Sequence, residues 1–199
     1  MRNTLKFLII IALMAAARNP VPVFAQNGNR TQAYFNMLSS GNYHMVAKMM
    51  EGRTETTIET FARGELMAST ITVQGEITRV VYKDRKSYMI LDSAKMIMIT
   101  AMNNPSEAKS VKTDGMRFTG SGTARFNGKD LPYDEYSGTN GEKVQFFVDG
   151  NNLAGIRNII PRQNAVDLVI LTLDQNIPNN AFDIPTSGYQ IQDMSSFGR

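Results

Sequence analysis

Pairs of turn-forming residues recur along this chain and divide most of it into short runs. The pairs are Glu51-Gly52, Gln74-Gly75, Asn127-Gly128, Asn140-Gly141 and Asp149-Gly150. Asn-Gly and Asp-Gly favour the two-residue turn of a β-hairpin, because both central residues of a type I′ turn need positive φ. Since apolar and β-branched residues fill the runs between these pairs, the pattern predicts successive antiparallel hairpins.

Eleven candidate strands follow from these turns. They lie near residues 42–50, 53–63, 65–73, 76–83, 86–92, 94–102, 115–126, 130–138, 142–149, 152–160 and 164–174. Short strands at an even spacing of about ten residues are typical of a sheet that winds as a meander. We therefore expect a mainly β fold with one or two short helices. In this fold about 11 strands form a strongly curved antiparallel meander, an unclosed half-barrel.

The segment at residues 116–126 has the clearest strand pattern. Its small and apolar residues alternate with polar ones and are Met116, Phe118, Gly120, Gly122, Ala124 and Phe126. Because successive side chains of a strand point to opposite faces, these residues are expected to share one buried face. Glycines on that face would permit a sharply curved sheet.

One helix is predicted before the strands, at residues 30–40. Its apolar residues share one face at helical spacing and are Ala33, Tyr34, Met37 and Leu38. Thr31 precedes them as a candidate N-cap, and Gly41 follows where a left-handed residue ends many helices.

Residues 1–25 have the pattern of a secretory signal peptide. Two basic residues precede an apolar stretch at residues 7–17, and a breaker region with two prolines leads to Ala25. The apolar stretch is shorter than the roughly 18 residues that span a bilayer. We therefore expect an exported protein, periplasmic or extracellular, that begins near Gln26 and has no transmembrane segment after cleavage.

The charge balance argues against a nucleic-acid partner. Three of the 21 basic residues lie in the signal segment, which leaves 18 basic residues against 18 acidic ones. Proteins that bind nucleic acids usually carry a basic patch or stripe, and no long basic run remains here. The sequence sets no oligomeric state.

The residue types restrict catalysis and metal binding. The chain has no cysteine and one histidine, His44, so thiolate nucleophiles, disulfides and cysteine-ligated metals are excluded. A lone histidine is typical of a structural position, and we expect His44 to share a face with Val46 and Lys48. We expect no cofactor, no metal and no enzymatic activity. A hydrolase that uses paired carboxylates stays open, because only the distance between two carboxylates in space would reveal it.

Asp130, Asp134 and Glu135 form a small acidic group beside a predicted strand. Their oxygens could hold a hard cation, but their spacing matches no calcium loop. We expect a solvated strand end instead. The polar residues 103–114 predict a mobile loop or a short helix, and residues 192–199 a frayed tail, within a single domain over residues 26–199.

Methionine is the unusual part of the composition, with 13 residues. Met side chains are flexible and polarisable, so they suit cavities that adapt to varied apolar ligands. Plain core filling is an open alternative, and a thioether site for cuprous ion is another. The candidate ligand-binding residues, expected to point inward, are Met45, Met49, Tyr88, Met96, Met98, Phe118 and Phe146.

Two short motifs support a resemblance to a known family. Residues 88–98 contain Tyr88, Asp92, Lys95, Met96 and Met98, and residues 182–189 contain Phe182, Pro185, Gly188 and Tyr189. With the export signal, the helix and the long meander, they resemble the bacterial periplasmic lipoprotein-carrier (LolA/LolB-like) superfamily. The resemblance implies a curved sheet around helices, an apolar cavity for acyl chains and no enzymatic activity. No site residue of that family is carried over.

The sequence thus predicts an exported, non-enzymatic protein that binds an apolar or acylated ligand, such as a lipid or an acylated protein, in a concave cavity. The alternative is a structural or protein-interaction module with a packed interior.

Overall fold

The computed structural model of the chain describes residues 30–51, 54–101 and 116–195. The predicted signal peptide at residues 1–25 and the polar segment at residues 103–114 lie outside the described residues. The elements are α1 (Gln32–Ser40), β1 (Asn42–Glu51), β2 (Thr54–Arg63), β3 (Leu66–Val73), β4 (Glu76–Lys83), β5 (Lys86–Leu91), β6 (Met96–Ala101), β7 (Arg117–Phe126), β8 (Lys129–Ser137), β9 (Lys143–Asp149), β10 (Asn152–Ile159), β11 (Val166–Asp174) and β12 (Gln190–Asp193).

All of these strands belong to one sheet of 12 strands. Their order is β12-β6-β5-β4-β3-β2-β1-β11-β10-β9-β8-β7. Two antiparallel meanders, β1–β6 and β7–β11, therefore meet where β1 pairs with β11. The terminal strands of the sheet are β12 and β7, so the sheet is unclosed. The predicted mainly β fold with one short helix and an unclosed curved sheet is confirmed.

The C-terminal end differs from the prediction. Gln192 and Asp193, expected in a frayed tail, belong to β12, which pairs parallel with β6. The strand is fixed at its start because the amide of Gln190 donates to the carbonyl of Lys95 over 2.7 Å. Residues 196–199 lie outside the described residues. The sheet therefore has a twelfth strand and is not wholly antiparallel.

Helix α1 lies against one face of the sheet, which we call the inner face. Its Phe35 and Leu38 are buried in the main core cluster, and the Phe35 ring stacks on Tyr136 of β8 at 4.6 Å between centroids. Gly41 ends the helix with φ 62°, and its amide donates to the carbonyl of Leu38 over 3.2 Å. The predicted helix and its glycine end are confirmed.

The strand register places the inner-face side chains of β1–β6 in rows that cross the sheet, because directly opposed residues share a face. The first row is Tyr43, Ala62, Met67, Tyr82, Ser87 and Thr100; the second is Met45, Thr60, Ser69, Val80, Met89 and Met98; the third is Ala47, Ile58, Ile71, Thr78, Leu91 and Met96. None of these side chains is charged at neutral pH.

The opposite, outer face of β3–β6 is covered by the chain that follows β11. We call residues 175–189 the strap. Phe182 of the strap is buried in a second core cluster. The strand residues of this cluster are Ala68, Val81, Ile90 and Ile97. The guanidinium of Arg63 donates to the carbonyl of Ile177 over 2.8 Å. The sheet is therefore packed on both faces.

A register shift in β7 overturns the predicted single face for residues 116–126. The pairing with β8 is irregular between Phe118 and Gly120. Phe118 packs with the inner core, whereas Phe126 is buried in an outer cluster with Leu131 and Phe147. A β-bulge inserts one unpaired residue, so the alternation reverses after it.

Gly155 of β10 allows this outer cluster to form. A Cβ built on Gly155 would overlap the ring of Phe126 and lie 2.6 Å from the carbonyl oxygen of Leu168. Since a backbone atom cannot move aside cheaply, we expect Gly155→Ala to lower the free energy of unfolding by about 1–3 kcal/mol in a urea titration.

The matched control is Gly138→Ala. Its added Cβ would meet the side chain of Glu142, which can rotate away at the cost of one exposed hydrogen bond from the amide of Asn140. A change within about 0.5 kcal/mol is expected for this control. Equal effects of the two substitutions would contradict the packing argument.

Candidate functional site

Six of the seven predicted ligand-binding residues lie on the inner face, and one does not. Tyr88 is opposite Val81 on the outer face, packed in the cluster that holds Phe182. The inner-face residues divide into two groups that lie in different parts of the sheet. The first group is Met45, Met49, Phe118 and Phe146, and the second is Met96 and Met98.

The first group belongs to the core beneath α1. Met45 is 0% exposed and Met49 6% exposed, and Phe146 meets the Phe35 ring edge to face at 6.1 Å. Phe118 is half-buried and meets Tyr136 edge to face at 5.9 Å. The core-filling interpretation of Met45 and Met49 therefore fits their burial, since α1 already covers this part of the inner face.

A buried carboxylate fixes the start of α1. Asp134 of β8 is 1% exposed, and its Oδ2 accepts hydrogen bonds from the amide of Thr31 over 3.0 Å and from its hydroxyl over 3.1 Å. Ser121 of β7 donates to the other carboxylate oxygen over 2.5 Å. The hydroxyl of Thr31 also lies 3.1 Å from that of Tyr136. Thr31 precedes the helix as predicted, but its side chain binds the sheet and does not cap the helix.

The predicted solvated acidic group is thus wrong for Asp134. The neighbouring acids point elsewhere, since Asp130 lies 3.7 Å from Arg125 and Glu135 lies 2.9 Å from Lys143. Although burial alone would raise the pKa of Glu135, hydrogen bonds from Gln145 and Lys143 lower it below its usual value. Within residues 30–51, 54–101 and 116–195, no group of three acidic or histidine side chains is placed to hold a metal ion.

The second group lies on β4–β6, away from α1. We call the apolar inner-face side chains Val80, Met89, Leu91, Met96 and Met98 the methionine face. Val80 is 4% exposed, whereas the other four are half-buried. Opposed pairs connect them, with Met89 beside Met98 and Leu91 beside Met96. The inner face therefore continues past the core as a half-buried apolar surface.

Met89 and Leu91 were not among the predicted residues. Met96 and Met98 share one face, as predicted. On β5 the predicted residue was Tyr88, but the adjacent residue Met89 is the one that lies on the inner face. The hairpin register would have identified Met89, because the turn at residues 92–95 sets it opposite Met98. The strand period alone gives two possible faces and does not say which one points inward.

The two family-like motifs meet on the outer face. The hydroxyl of Tyr189 donates to Asp92, and the ammonium of Lys95 lies 5.0 Å from the centre of the Tyr189 ring. Phe182 packs in the same cluster as Tyr88. These motif residues therefore attach the strap to the β5–β6 hairpin, whereas Met96 and Met98 of the first motif lie on the methionine face.

His44 is a structural residue between three strands. It shares a face with Val46 and Lys48, as predicted, and this is the outer face of the sheet. Its Nε2 is 3.0 Å from Glu59 of β2 and its Nδ1 is 3.3 Å from Asp174 of β11. The ring stacks on Phe61 at 4.5 Å. Because carboxylates engage both ring nitrogens, neither nitrogen is left to activate a serine.

We expect Asp134→Ala to lower the free energy of unfolding by about 3 kcal/mol in urea, because the buried amide and hydroxyl of Thr31 would lose their charged acceptor. The control is Asp130→Ala on the same strand, where an exposed ion pair contributes less than about 1 kcal/mol. If Asp134→Ala lowered the free energy of unfolding no more than Asp130→Ala does, α1 would not depend on the Asp134 carboxylate.

In the part of the chain that the structure describes, no helix has both the length and the apolar character needed to cross a bilayer.

No protein-family model matches the sequence, and no curated protein matches it.

A solved structure does share the fold. It is described as an uncharacterized conserved protein from Thermus thermophilus and superposes with a TM-score of 0.52 at 9% sequence identity. The match covers 82% of this chain and 98% of that one. At this identity the similarity concerns the fold alone, so the resemblance to lipoprotein carriers stays a prediction.

Proposed function

We propose that this chain is an exported, non-enzymatic protein that binds an apolar or acylated ligand on the methionine face. The observation that carries the proposal is that Met89, Leu91, Met96 and Met98 lie on the same face as the main core and are only half-buried. A contiguous apolar surface that keeps part of its area in water is unfavourable there and can mark a binding site.

The chemistry of the methionine face suits an acyl chain. Full burial of a methionine or leucine side chain contributes up to about 1.5–3 kcal/mol. Covering the part that remains in water on four half-buried side chains contributes a fraction of this for each, and the fractions add. The thioether chains are flexible and can adapt to different ligands. The three rows contain no charged side chain to oppose an apolar guest.

The ligand would not occupy the whole inner face. The part beneath α1 is filled by Phe35 and Leu38, so an acyl chain there would have to displace the helix. The proposal therefore places the ligand on β4–β6 and leaves Met45, Met49 and Phe146 in the core.

A second candidate is an interaction module with a packed interior. The filled region beneath α1 favours it, and so does β7, a terminal strand of the sheet that pairs with β8. A strand at a sheet edge can pair with an extended segment of another protein. This candidate requires no ligand on the methionine face.

Titration with a fluorescent fatty acid separates the two candidates. After delipidation, we expect saturable binding to the wild-type chain and at least about tenfold weaker binding to Met98→Lys, because a buried ammonium opposes the acyl chain. The matched control is Met50→Lys, since Met50 is 58% exposed and lies on the outer face of β1.

Thermal unfolding of each variant would verify that the fold is kept. A flat titration of the wild-type chain would favour the packed interaction module. Native mass spectrometry of the purified protein gives an independent reading, because a co-purified lipid appears as added mass.

A further inference from the structure

The two ends of the methionine face differ in chemistry. At the end beside the β4–β5 turn, the first row presents hydroxyl groups on adjacent strands. We call Tyr82, Ser87 and Thr100 the hydroxyl rim. Thr100 is exposed, and Tyr82 and Ser87 are half-buried. The second row, with Met89 and Met98, lies next to it along the strands.

The hydroxyl rim can donate hydrogen bonds at neutral pH. Tyr82 is hydrogen-bonded to Ser87, and burial raises the pKa of the Tyr82 phenol above its usual value. The phenol therefore keeps its proton and remains a donor. A hydroxyl both donates and accepts, so a carbonyl oxygen placed here could join the existing pair.

The opposite end carries an acid, and on β4–β6 its third row presents a single hydroxyl group, that of Thr78 opposite Leu91. Beyond the third row, Val73 lies opposite Glu76, whose side chain is exposed on the same inner face. A carboxylate repels an anionic group and offers no donor to a carbonyl. The turn at residues 92–95 is also near this end, but Asp92 and Lys95 are engaged by Tyr189 of the strap.

The charge near the hydroxyl rim also distinguishes the two ends of the methionine face. The β4–β5 connection reads Lys83-Asp84-Arg85-Lys86 and is net cationic. Lys83 and Lys86 are opposed on the outer face, where Lys86 also lies 3.9 Å from Asp193 of β12. They do not enter the methionine face, and the positive charge that Asp193 leaves uncompensated contributes to the potential at this rim. An anionic group is therefore favoured at the hydroxyl rim and disfavoured near Glu76.

The distance between the two ends fits an extended chain. Ser87 and Leu91 are four residues apart on β5, which corresponds to roughly 13 Å at a rise of about 3.3 Å per residue. Between them the inner face is lined by Met89 and, on β6, Met98.

We infer that the ligand is an acyl chain with a carbonyl-containing head, that the head lies at the hydroxyl rim, and that the terminal methyl group lies toward Leu91 and Met96. This inference rests on the proposed function and adds an orientation and a chemical class to it. The carbonyl could belong to a free fatty acid or to an ester or amide of an acylated partner. All three present the same oxygen acceptor.

Methionine methyl groups can report the orientation directly. The full mature chain would be labelled with carbon-13 at its methionine methyl groups and mixed with lauric acid that carries a nitroxide near the carboxyl group or near the terminal methyl. We expect the carboxyl-end nitroxide to broaden Met67, in the row of the hydroxyl rim, more than Met96. The tail nitroxide should do the reverse.

The opposite gradient, or equal broadening by both probes, would overturn the orientation and leave the proposed function intact. No broadening by either probe, together with a flat fluorescence titration, would overturn both.

A variant pair tests the hydroxyl groups themselves. Tyr82→Phe combined with Ser87→Ala should weaken binding by about tenfold, as expected for the loss of a hydrogen bond or two. The matched control is Thr57→Val combined with Thr72→Val, which removes an opposed hydroxyl pair from the outer face. The control should leave the affinity unchanged.

The same variants would be titrated with lauric acid and with its methyl ester. A loss for both ligands supports the carbonyl as the recognised group, and a loss for lauric acid alone assigns recognition to the ionised carboxyl of a free fatty acid. Unchanged affinity for both ligands in a folded double variant would overturn the inference.

Discussion

The arrangement of the inner face depends on the buried carboxylate of Asp134. It joins β8 to the start of α1, 103 positions earlier in the chain, and it also accepts from Ser121 of β7. A buried charge is unfavourable unless hydrogen bonds compensate it, so Asp134 and the helix start hold each other in place. With α1 fixed, Phe35 and Leu38 fill the region over β1 and β8–β11. The apolar inner-face side chains of β4–β6 lie outside this cover and most of them are only half-buried.

Much of the fold could be predicted from local chemistry. The turn pairs gave eleven strands at nearly the observed bounds, and Gly41 gave the end of α1, because φ/ψ preferences act within a few residues. The order of the strands could not be predicted in this way. Pairing of β1 with β11 and of β6 with β12 joins segments distant in sequence, and no local preference encodes it. The twelfth strand was missed because its four residues gain their partner only when the strap crosses the outer face.

The candidate site was predicted in part, and the errors have a common cause. A period of two separates the faces of a strand but does not say which face points inward. Met96 and Met98 were placed correctly, while Tyr88 was chosen where its neighbour Met89 lies on the inner face. In β7 the bulge after Phe118 reverses the alternation, so Phe126 packs on the other side. The acidic side chain of Asp134 was expected in solvent, because its partner Thr31 is far away in sequence.

The pairing of β1 with β11 also has a consequence for folding kinetics. During synthesis β1 is made early. Its neighbour β11 is complete only at Asp174, after more than a hundred further residues. Closing such a long loop costs conformational entropy before the strand pairing can stabilise the chain. Proteins with many non-local contacts therefore fold slowly. The first meander can form as its hairpins emerge, whereas the core beneath α1 must wait for the second. A newly made chain therefore has an interval in which Met45 and Met49 are without their final cover and are open to aggregation or to a chaperone.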